Sequence, residues 1–101
     1  MRLDASSIDA ANGLALLFIG TGRPAEAIPL LESLTRASPG FYEAWLNLGM
    51  ARHATGDLAG AADAYRRVLA ALPRYDALRR AAGQYLASIQ VGPAAPPPRR
   101  P

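Results

Sequence analysis

Residues 44–73 read AWLNLGMARHATGDLAGAADAYRRVLAALP and contain the spacing that decides the fold. Trp45, Leu48 and Gly49 recur at the three- and four-residue intervals that place side chains on one face of a helix. Gly49 is also a small residue at a position where a second helix must approach closely. The first half of this stretch therefore predicts an amphipathic helix whose packed face combines an indole ring with a point of close contact.

The second half of the stretch predicts another helix, separated from the first by a turn. Gly56 suits the positive φ angle that ends many helices. Asp57 follows it and is a good N-cap for the next helix. Ala61 supplies a small residue inside that helix, and Pro73 ends it. Together the two halves predict a helical hairpin.

The same punctuation occurs 34 residues earlier in the chain. A shift of 34 residues pairs Ala10 with Ala44, Leu14 with Leu48, Gly22 with Gly56, Ala27 with Ala61 and Pro39 with Pro73. Alanine matches are frequent in an alanine-rich chain, but glycine and proline matches are informative because these residues mark turns and helix ends. The sequence is therefore interpreted as two copies of one helical unit.

The second copy resembles the tetratricopeptide repeat family, whose pattern is W-x2-L-G-x2-Y, then A-x3-F, then P. Five positions fit outright, namely Trp45, Leu48, Gly49, Ala61 and Pro73. Tyr65 stands in for the family's aromatic residue, whereas Arg52 departs from its preferred tyrosine. In the first copy, Leu14, Ala27 and Pro39 fit, while Ala11, Ala15 and Phe18 replace Trp, Gly and Tyr. The resemblance covers about residues 8–73.

The resemblance implies an all-α fold of antiparallel helix-turn-helix pairs, stacked as a short right-handed α-solenoid of about five helices. We expect helices near residues 7–21, 24–37, 41–55, 58–71 and 75–90. The predicted organisation is an N-terminal lead-in at 1–6, a first repeat at 7–39, a second repeat at 41–73, a capping helix at 75–90 and a disordered tail at 91–101.

Two proline-containing segments modify this expectation. Pro24 suits the first turn of a helix. Pro29 lies deeper in the same helix, where it removes one backbone hydrogen bond, so we expect a local kink or a 3₁₀ start there, on the outer face. The Pro- and Arg-rich tail favours solvated polyproline II. Its Pro93/Pro96 pair lacks the flanking arginine that an SH3 ligand needs.

Composition argues against catalysis. The chain has no cysteine and a single histidine, His53, which excludes thiol nucleophiles, iron–sulfur clusters and histidine-pair metal sites. It has no glycine-rich phosphate loop and no Ser–His–Asp order that helical spacing would assemble. We therefore expect no enzyme activity, no cofactor and no metal site.

Charge and hydropathy limit the partners. The net charge of +3 is small, and the basic residues, all arginine, lack interleaved aromatic residues for base stacking. The longest apolar run, residues 14–19, is far shorter than a membrane span, and the acidic residues before it do not suit a secretory signal. We expect a cytoplasmic protein that binds neither membranes nor specific nucleic acid.

A binding surface is expected on the concave side, which the first helix of each pair lines. Its predicted residues are Asp9, Asn12, Leu16, Ile19, Glu43, Leu46, Asn47, Met50, His53, Arg80 and Gln84. Leu16, Ile19, Leu46 and Met50 would form an apolar strip in this groove. The alternative, which the sequence leaves open, is that these four side chains fill the core.

Some members of this family bind acidic C-terminal tails through a clamp of lysine, asparagine and arginine. Asn47 falls on a clamp position here, but Asn12, Leu16, Ala77 and Ala81 replace the other clamp residues. The pattern therefore does not support carboxylate binding, and the groove suits an apolar or amphipathic segment better.

The sequence thus predicts a non-catalytic interaction module that binds a peptide or helical segment of another protein. Two alternatives stay open: a small bacterial chaperone for a secretion-apparatus protein, and a structural unit that self-associates as a homodimer. A nucleic-acid adaptor that uses the arginines after residue 65 is less favoured, because nothing beyond charge supports it.

Overall fold

The computed structural model describes residues 5–73 and 76–90, and all regular structure within these residues is helical. The five helices are α1 (Ala5–Gly20), α2 (Pro24–Ala37), α3 (Tyr42–Ala54), α4 (Leu58–Ala71) and α5 (Ala77–Gln90). Each lies within two residues of its expected bounds. The predicted tail at residues 91–101 lies outside the described residues.

The turns within the two hairpins form for the predicted reasons. Gly22 and Gly56 have φ angles of +81° and +90°, a conformation that residues with a Cβ atom rarely adopt. The Asp57 side chain caps α4, because its Oδ1 accepts a hydrogen bond of 3.0 Å from the Gly60 backbone N–H. Pro24 occupies the first turn of α2, where a missing N–H costs nothing.

Pro29 does not interrupt α2. The segment is α-helical from Pro24 to Ala37, so the expectation of a 3₁₀ start was wrong. Pro29 is exposed, as expected for the outer face. Its ring therefore points away from the core, and the helix continues past the missing hydrogen bond because neighbouring turns and the buried face of α2 hold it in place.

The helices form two layers. Each helix packs against the next one along the chain, and α3 also contacts α1 and α5. Within the described residues, α2 and α4 do not contact each other. The first helices, α1 and α3, together with α5, therefore form a contiguous inner layer, and α2 and α4 lie apart on the outer side, as in a short solenoid.

Two hydrophobic clusters lie between these layers. The first contains Ala15, Ala27, Leu31, Leu34, Ala44, Leu48 and Ala51. The second contains Leu46, Ala61, Ala62, Tyr65, Val68, Ala82 and Leu86. Trp45 packs against both clusters. Its Nε1–H donates to the Pro39 carbonyl at 2.9 Å, and the Arg67 guanidinium lies 4.4 Å from the centre of its ring. The indole therefore joins the two hairpins into one core.

Helices α3 and α4 approach each other closely at Gly49. A Cβ atom at this position would lie 2.6 Å from Cδ1 of Tyr65 and 3.0 Å from its Cζ, well inside van der Waals contact. The absence of a side chain at Gly49 therefore makes room for the Tyr65 ring, which is completely buried. This confirms the sequence-based expectation of close contact at Gly49.

Arg52, which replaces the family's preferred tyrosine, connects three helices. Its Nη1 donates to the carbonyl of Gly60 in α4 at 3.1 Å, and its Nη2 donates to Oε2 of Glu32 in α2 at 3.3 Å. The Arg52 side chain is mostly buried. The departure from the family pattern therefore substitutes polar links for the packing that an aromatic ring would provide.

Candidate functional site

A pocket of about 350 Å³ opens on the inner layer, a volume within the range of small-ligand and side-chain pockets. It lies towards the C-terminal ends of α1, α3 and α5, with one wall from α4. Its lining residues are Ile19, Met50, His53, Ala54, Tyr65, Tyr85 and Ser88. The wall is mostly apolar, and polar groups are supplied by the imidazole and the hydroxyls.

The repeat itself places several of these side chains. Ile19 and His53 are 34 residues apart, as are Ala54 and Ser88. Equivalent positions near the ends of successive inner helices therefore point to the same place. The pocket is thus a product of stacking the inner helices side by side, not of an irregular loop.

Tyr65 is the most unusual residue of the pocket wall. Its hydroxyl is buried and has no hydrogen-bond partner. Burial, with a smaller contribution from Tyr85, raises the pKa of Tyr65 to about 12, so the phenol stays protonated at neutral pH. Buried polar groups are nearly always hydrogen-bonded in folded proteins. The Tyr65 phenol is therefore an uncompensated buried polar group in the packing beside the pocket.

Tyr85 forms the exposed part of the same aromatic pair. Its ring stacks on Tyr65 with the centroids 5.6 Å apart and the planes 21° from parallel. Tyr85 is 38% exposed, one of the four most exposed large hydrophobic side chains among the described residues. The pair therefore presents an aromatic surface that extends from the core to the mouth of the pocket.

Three residues of the predicted groove line this pocket, namely Ile19, Met50 and His53. Leu46 does not, because it is only 8% exposed and packs in the second hydrophobic cluster. The expectation of an accessible Leu46 was therefore wrong. Its neighbour Met50, one turn later, is half-buried and accessible from the pocket. The predicted apolar strip is thus shorter than expected, and Leu46 belongs to the core.

The prediction that Asn12 and Asn47 line the groove was also wrong, because both side chains are buried. Each is 6% exposed, and Nδ2 of Asn47 donates to Oδ1 of Asn12 at 2.8 Å. The two amides join α1 to α3, so the Asn47 side chain is engaged within the fold. An Asn47 that bonds Asn12 in this way does not present its amide as a clamp residue would.

The remaining predicted groove residues are exposed and lie outside the pocket lining. These are Asp9, Leu16, Glu43, Arg80 and Gln84. The structure therefore does not gather them with Met50 and His53. They remain predictions for contacts that a longer bound segment would make beyond the pocket.

Tyr65 and Tyr85 are the pocket residues that sequence reasoning missed. Tyr65 occupies the family's aromatic position, which indicates core packing, and the ring is indeed in the core. Tyr85 lies in the capping helix, where the 34-residue shift aligns it with Ala51. The sequence did offer one signal for Tyr85: a large aromatic residue stands where the preceding repeat has alanine.

The described residues contain no group of three histidine, cysteine, aspartate or glutamate side chains close enough to hold a metal ion. In the same part of the chain, no helix has both the length and the apolar character that crossing a membrane requires.

Comparison with known families agrees with this architecture. The model for the Tetratricopeptide repeat matches residues 12–76, well over half of the chain. The chain belongs to the tetratricopeptide repeat family. Searches among curated proteins and among solved structures give no match. Proteins of the tetratricopeptide repeat family are generally non-catalytic scaffolds for protein–protein interaction.

Proposed function

We propose that this tetratricopeptide repeat protein binds a segment of another protein in the pocket of its inner layer. The bound segment inserts an apolar side chain between Met50 and Tyr85. It also presents a hydrogen-bond acceptor to the Tyr65 hydroxyl, which is buried in the free protein and becomes accessible when the bound segment displaces the packing around it. The observation that carries this proposal is the pocket itself, a mostly apolar opening with the buried, unpaired Tyr65 hydroxyl next to it.

The shape and composition of the pocket favour a side chain over a small charged ligand. Among the described residues, its lining contains no arginine, lysine or carboxylate, so these residues offer no fixed charge to neutralise a phosphate or an acidic tail. Met50 contributes a flexible thioether that adapts to varied apolar shapes. Tyr85 provides the kind of partly exposed aromatic side chain that is enriched where proteins bind one another.

The Tyr65 hydroxyl adds directional specificity. A buried donor without a partner destabilises the free protein by about 1–3 kcal/mol relative to a satisfied one. A ligand that supplies a carbonyl or carboxamide oxygen relieves this penalty, whereas a purely apolar ligand does not. We therefore expect discrimination between segments that match in hydrophobicity but differ in this acceptor.

The test begins with selection of peptides from a random display library against the whole chain. The best peptide is then synthesised, and its affinity is measured by calorimetry. We expect a Kd on the order of micromolar for one anchored side chain and its flanks. Met50→Asp places a charge in the apolar wall and should weaken binding at least tenfold, by about 1.4 kcal/mol or more.

The matched control is Ala59→Asp, because Ala59 is exposed on α4 and does not line the pocket. This variant introduces the same charge and should bind the peptide as the wild type does. Circular dichroism of both variants checks that the helices are intact. The proposal is wrong if no peptide is selected, or if Met50→Asp and Ala59→Asp bind equally well.

Tyr65→Phe tests the hydroxyl separately. The variant keeps the ring that packs on Gly49 and removes only the unpaired donor. We expect the folded state to be as stable as the wild type or more stable, while peptide affinity falls about five- to tenfold. Unchanged affinity would show that the bound segment does not use this donor.

A further inference from the structure

Helices α1 and α3 lie side by side and run in the same direction. Two contacts fix this arrangement. Asn12 of α1 is hydrogen-bonded to Asn47 of α3 at 2.8 Å, and Ile19 of α1 lines the same pocket as His53 of α3. Both helices therefore proceed from the amide pair towards the pocket, and their N-terminal ends lie together on the opposite side of the amide pair.

Two carboxylates occupy those N-terminal ends. Asp9 precedes Asn12 by one turn, and Glu43 precedes Asn47 by one turn, so each carboxylate shares a helix face with its amide. Both side chains are exposed, and in the described part of the chain neither has an ion pair or a side-chain hydrogen bond. The line of contact between α1 and α3 will be called the inner seam. It runs from these two carboxylates to the pocket.

The arginines of the described inner helices do not offset these charges within the inner seam. Helix α1 contains no arginine. Arg52, the arginine of α3, is directed to Glu32 in α2 and to the carbonyl of Gly60 in α4. Arg80 belongs to α5, which lies on the far side of α3, because α1 and α5 do not contact each other among the described residues. The acidic end of the inner seam therefore favours a cation.

We propose that the segment bound in the pocket carries an arginine or lysine that pairs with Asp9 and Glu43. This inference rests on the proposed function, because the pocket holds the apolar side chain of the same segment. Leu16, which is 44% exposed, lies on α1 between the two sites, so one bound segment can contact both. Complementary charge then selects a basic segment over an acidic one of equal hydrophobicity.

The two carboxylates are not the reason to expect a ligand on the inner seam. That reason is the pocket at its other end, a mostly apolar opening beside the completely buried and unpaired hydroxyl of Tyr65. The carboxylates add the charge that the segment must carry. The pocket lining itself lacks such a charge among the described residues.

Helix geometry sets the spacing within the bound segment. Asp9 precedes Ile19 by ten residues, and Glu43 precedes Met50 by seven. At about 1.5 Å per residue, the acidic end lies about 10–15 Å from the pocket. An extended segment advances about 3.3 Å per residue, so its basic residue should be about three to five positions from the apolar anchor.

The first test uses the peptides selected from a random display library against the whole chain. We expect them to share an apolar residue and to be enriched in arginine or lysine about three to five positions away from it. Selected peptides that bind in the pocket without this enrichment would overturn the inference.

The second test measures whether the basic residue and the carboxylates act on each other. Calorimetry compares the best peptide with the same peptide carrying glutamine in place of its basic residue, at ~0.01 M ionic strength, where screening is weak. The wild type should bind the basic peptide about three- to fivefold more tightly. The double variant Asp9→Asn with Glu43→Gln should bind both peptides equally, and the wild-type preference should vanish at ~1 M salt.

The matched control is the double variant Glu26→Gln with Asp63→Asn. Both residues are exposed on the outer helices, and the change in net charge is the same. This control should keep the preference for the basic peptide, and circular dichroism should show intact helices in both double variants. Loss of the preference in the control to the same extent would overturn the inference. So would tighter peptide binding by Asp9→Asn with Glu43→Gln, because the carboxylates would then be occupied by this chain's own arginines.

Met50→Asp separates a failure of this inference from a failure of the proposed function. It should weaken binding of both peptides, because both place the same apolar side chain in the pocket. If it does so while the wild type binds the two peptides equally, only the pairing with Asp9 and Glu43 is wrong. If Met50→Asp affects neither peptide, binding in the pocket is wrong, and this inference is overturned with it.

Discussion

In the first hairpin, formed by α1 and α2, Ala15 and Leu31 occupy the positions that Gly49 and Tyr65 occupy in the second. All but Gly49 are among the hydrophobic core residues and are completely buried. In the second hairpin, the outer helix α4 has the larger residue, Tyr65 instead of leucine. The inner helix α3 has the smaller one, Gly49 instead of alanine. The comparison shows that the repeat conserves the space between its helices, not the size of each side chain.

The two hairpins differ more strongly at the positions that contact a preceding repeat. Leu48 is 1% exposed, because the first hairpin covers it, whereas its equivalent Leu14 is 44% exposed. The same residue type at the same repeat position therefore has different energetic value in the two hairpins. Burial at these positions is set by the neighbouring hairpin and not by the local sequence.

The largest effect on the free energy of unfolding is expected when these two leucines are each replaced by alanine. Leu48→Ala should lower the free energy of unfolding by about 3 kcal/mol, because it leaves a cavity in the first cluster. Leu14→Ala should lower it by about 0.5 kcal/mol or less, since the side chain is already half in solvent. Urea denaturation measures both values. Equal losses would show that the two leucines are equally covered.

A second difference between the hairpins should appear at high pH. Tyr65 has its pKa raised to about 12, whereas its first-hairpin equivalent, Leu31, does not ionise. Stability should be unaffected by Tyr65 below pH 10, because the phenol is then neutral in both folded and unfolded chains. Between about pH 10 and 12 the unfolded chain loses this proton first, so stability should fall by about 2–3 kcal/mol.

The measurement is the free energy of unfolding between pH 9 and 12 in the wild type and in Tyr65→Phe. In Tyr65→Phe, most of the decrease in stability at high pH should be absent. Tyr42→Phe, which removes a phenol that is not fully buried, serves as the control and should retain it. A fall of the same size in Tyr65→Phe would assign the pH dependence to other groups.

A third experiment sharpens the comparison by exchanging the packing of the two hairpins. Gly49→Ala alone should destabilise the protein by about 2 kcal/mol, because the new methyl group meets the Tyr65 ring. Tyr65→Leu alone should leave a cavity. Gly49→Ala combined with Tyr65→Leu recreates the Ala15 and Leu31 combination, so it should cost less than the sum of the two single changes. A double-mutant cycle with no coupling would contradict size exchange.

Most of the fold could be predicted because turns and caps depend on local chemistry. Gly22 and Gly56 adopt the positive φ angles expected of them, and Asp57 caps α4. These residues act within one turn of the chain, so a single sequence contains the whole cause. Pro29 is the local exception, since the packing of the helix around it outweighs the expected start of a 3₁₀ segment.

The candidate site was less predictable because it depends on which helix covers which residue. Leu46 and Met50 are one turn apart, and helical spacing places both on the inner side of α3. The second cluster, which includes residues of α4 and α5, buries the first of them and leaves the second accessible. Tyr65 was matched to the family's aromatic position, but its unpaired hydroxyl depends on the positions of neighbouring helices, which spacing does not encode.

The hydrogen bond between Asn12 and Asn47 has a consequence for how the hairpins can move. Sliding α1 along α3 by one helical turn, about 5.4 Å, would separate the two amides and leave both without their partner in a buried setting. Apolar contacts alone tolerate such slippage far better, because they have little directional preference. This pair therefore favours the observed register of α1 against α3 over a register shifted by one turn.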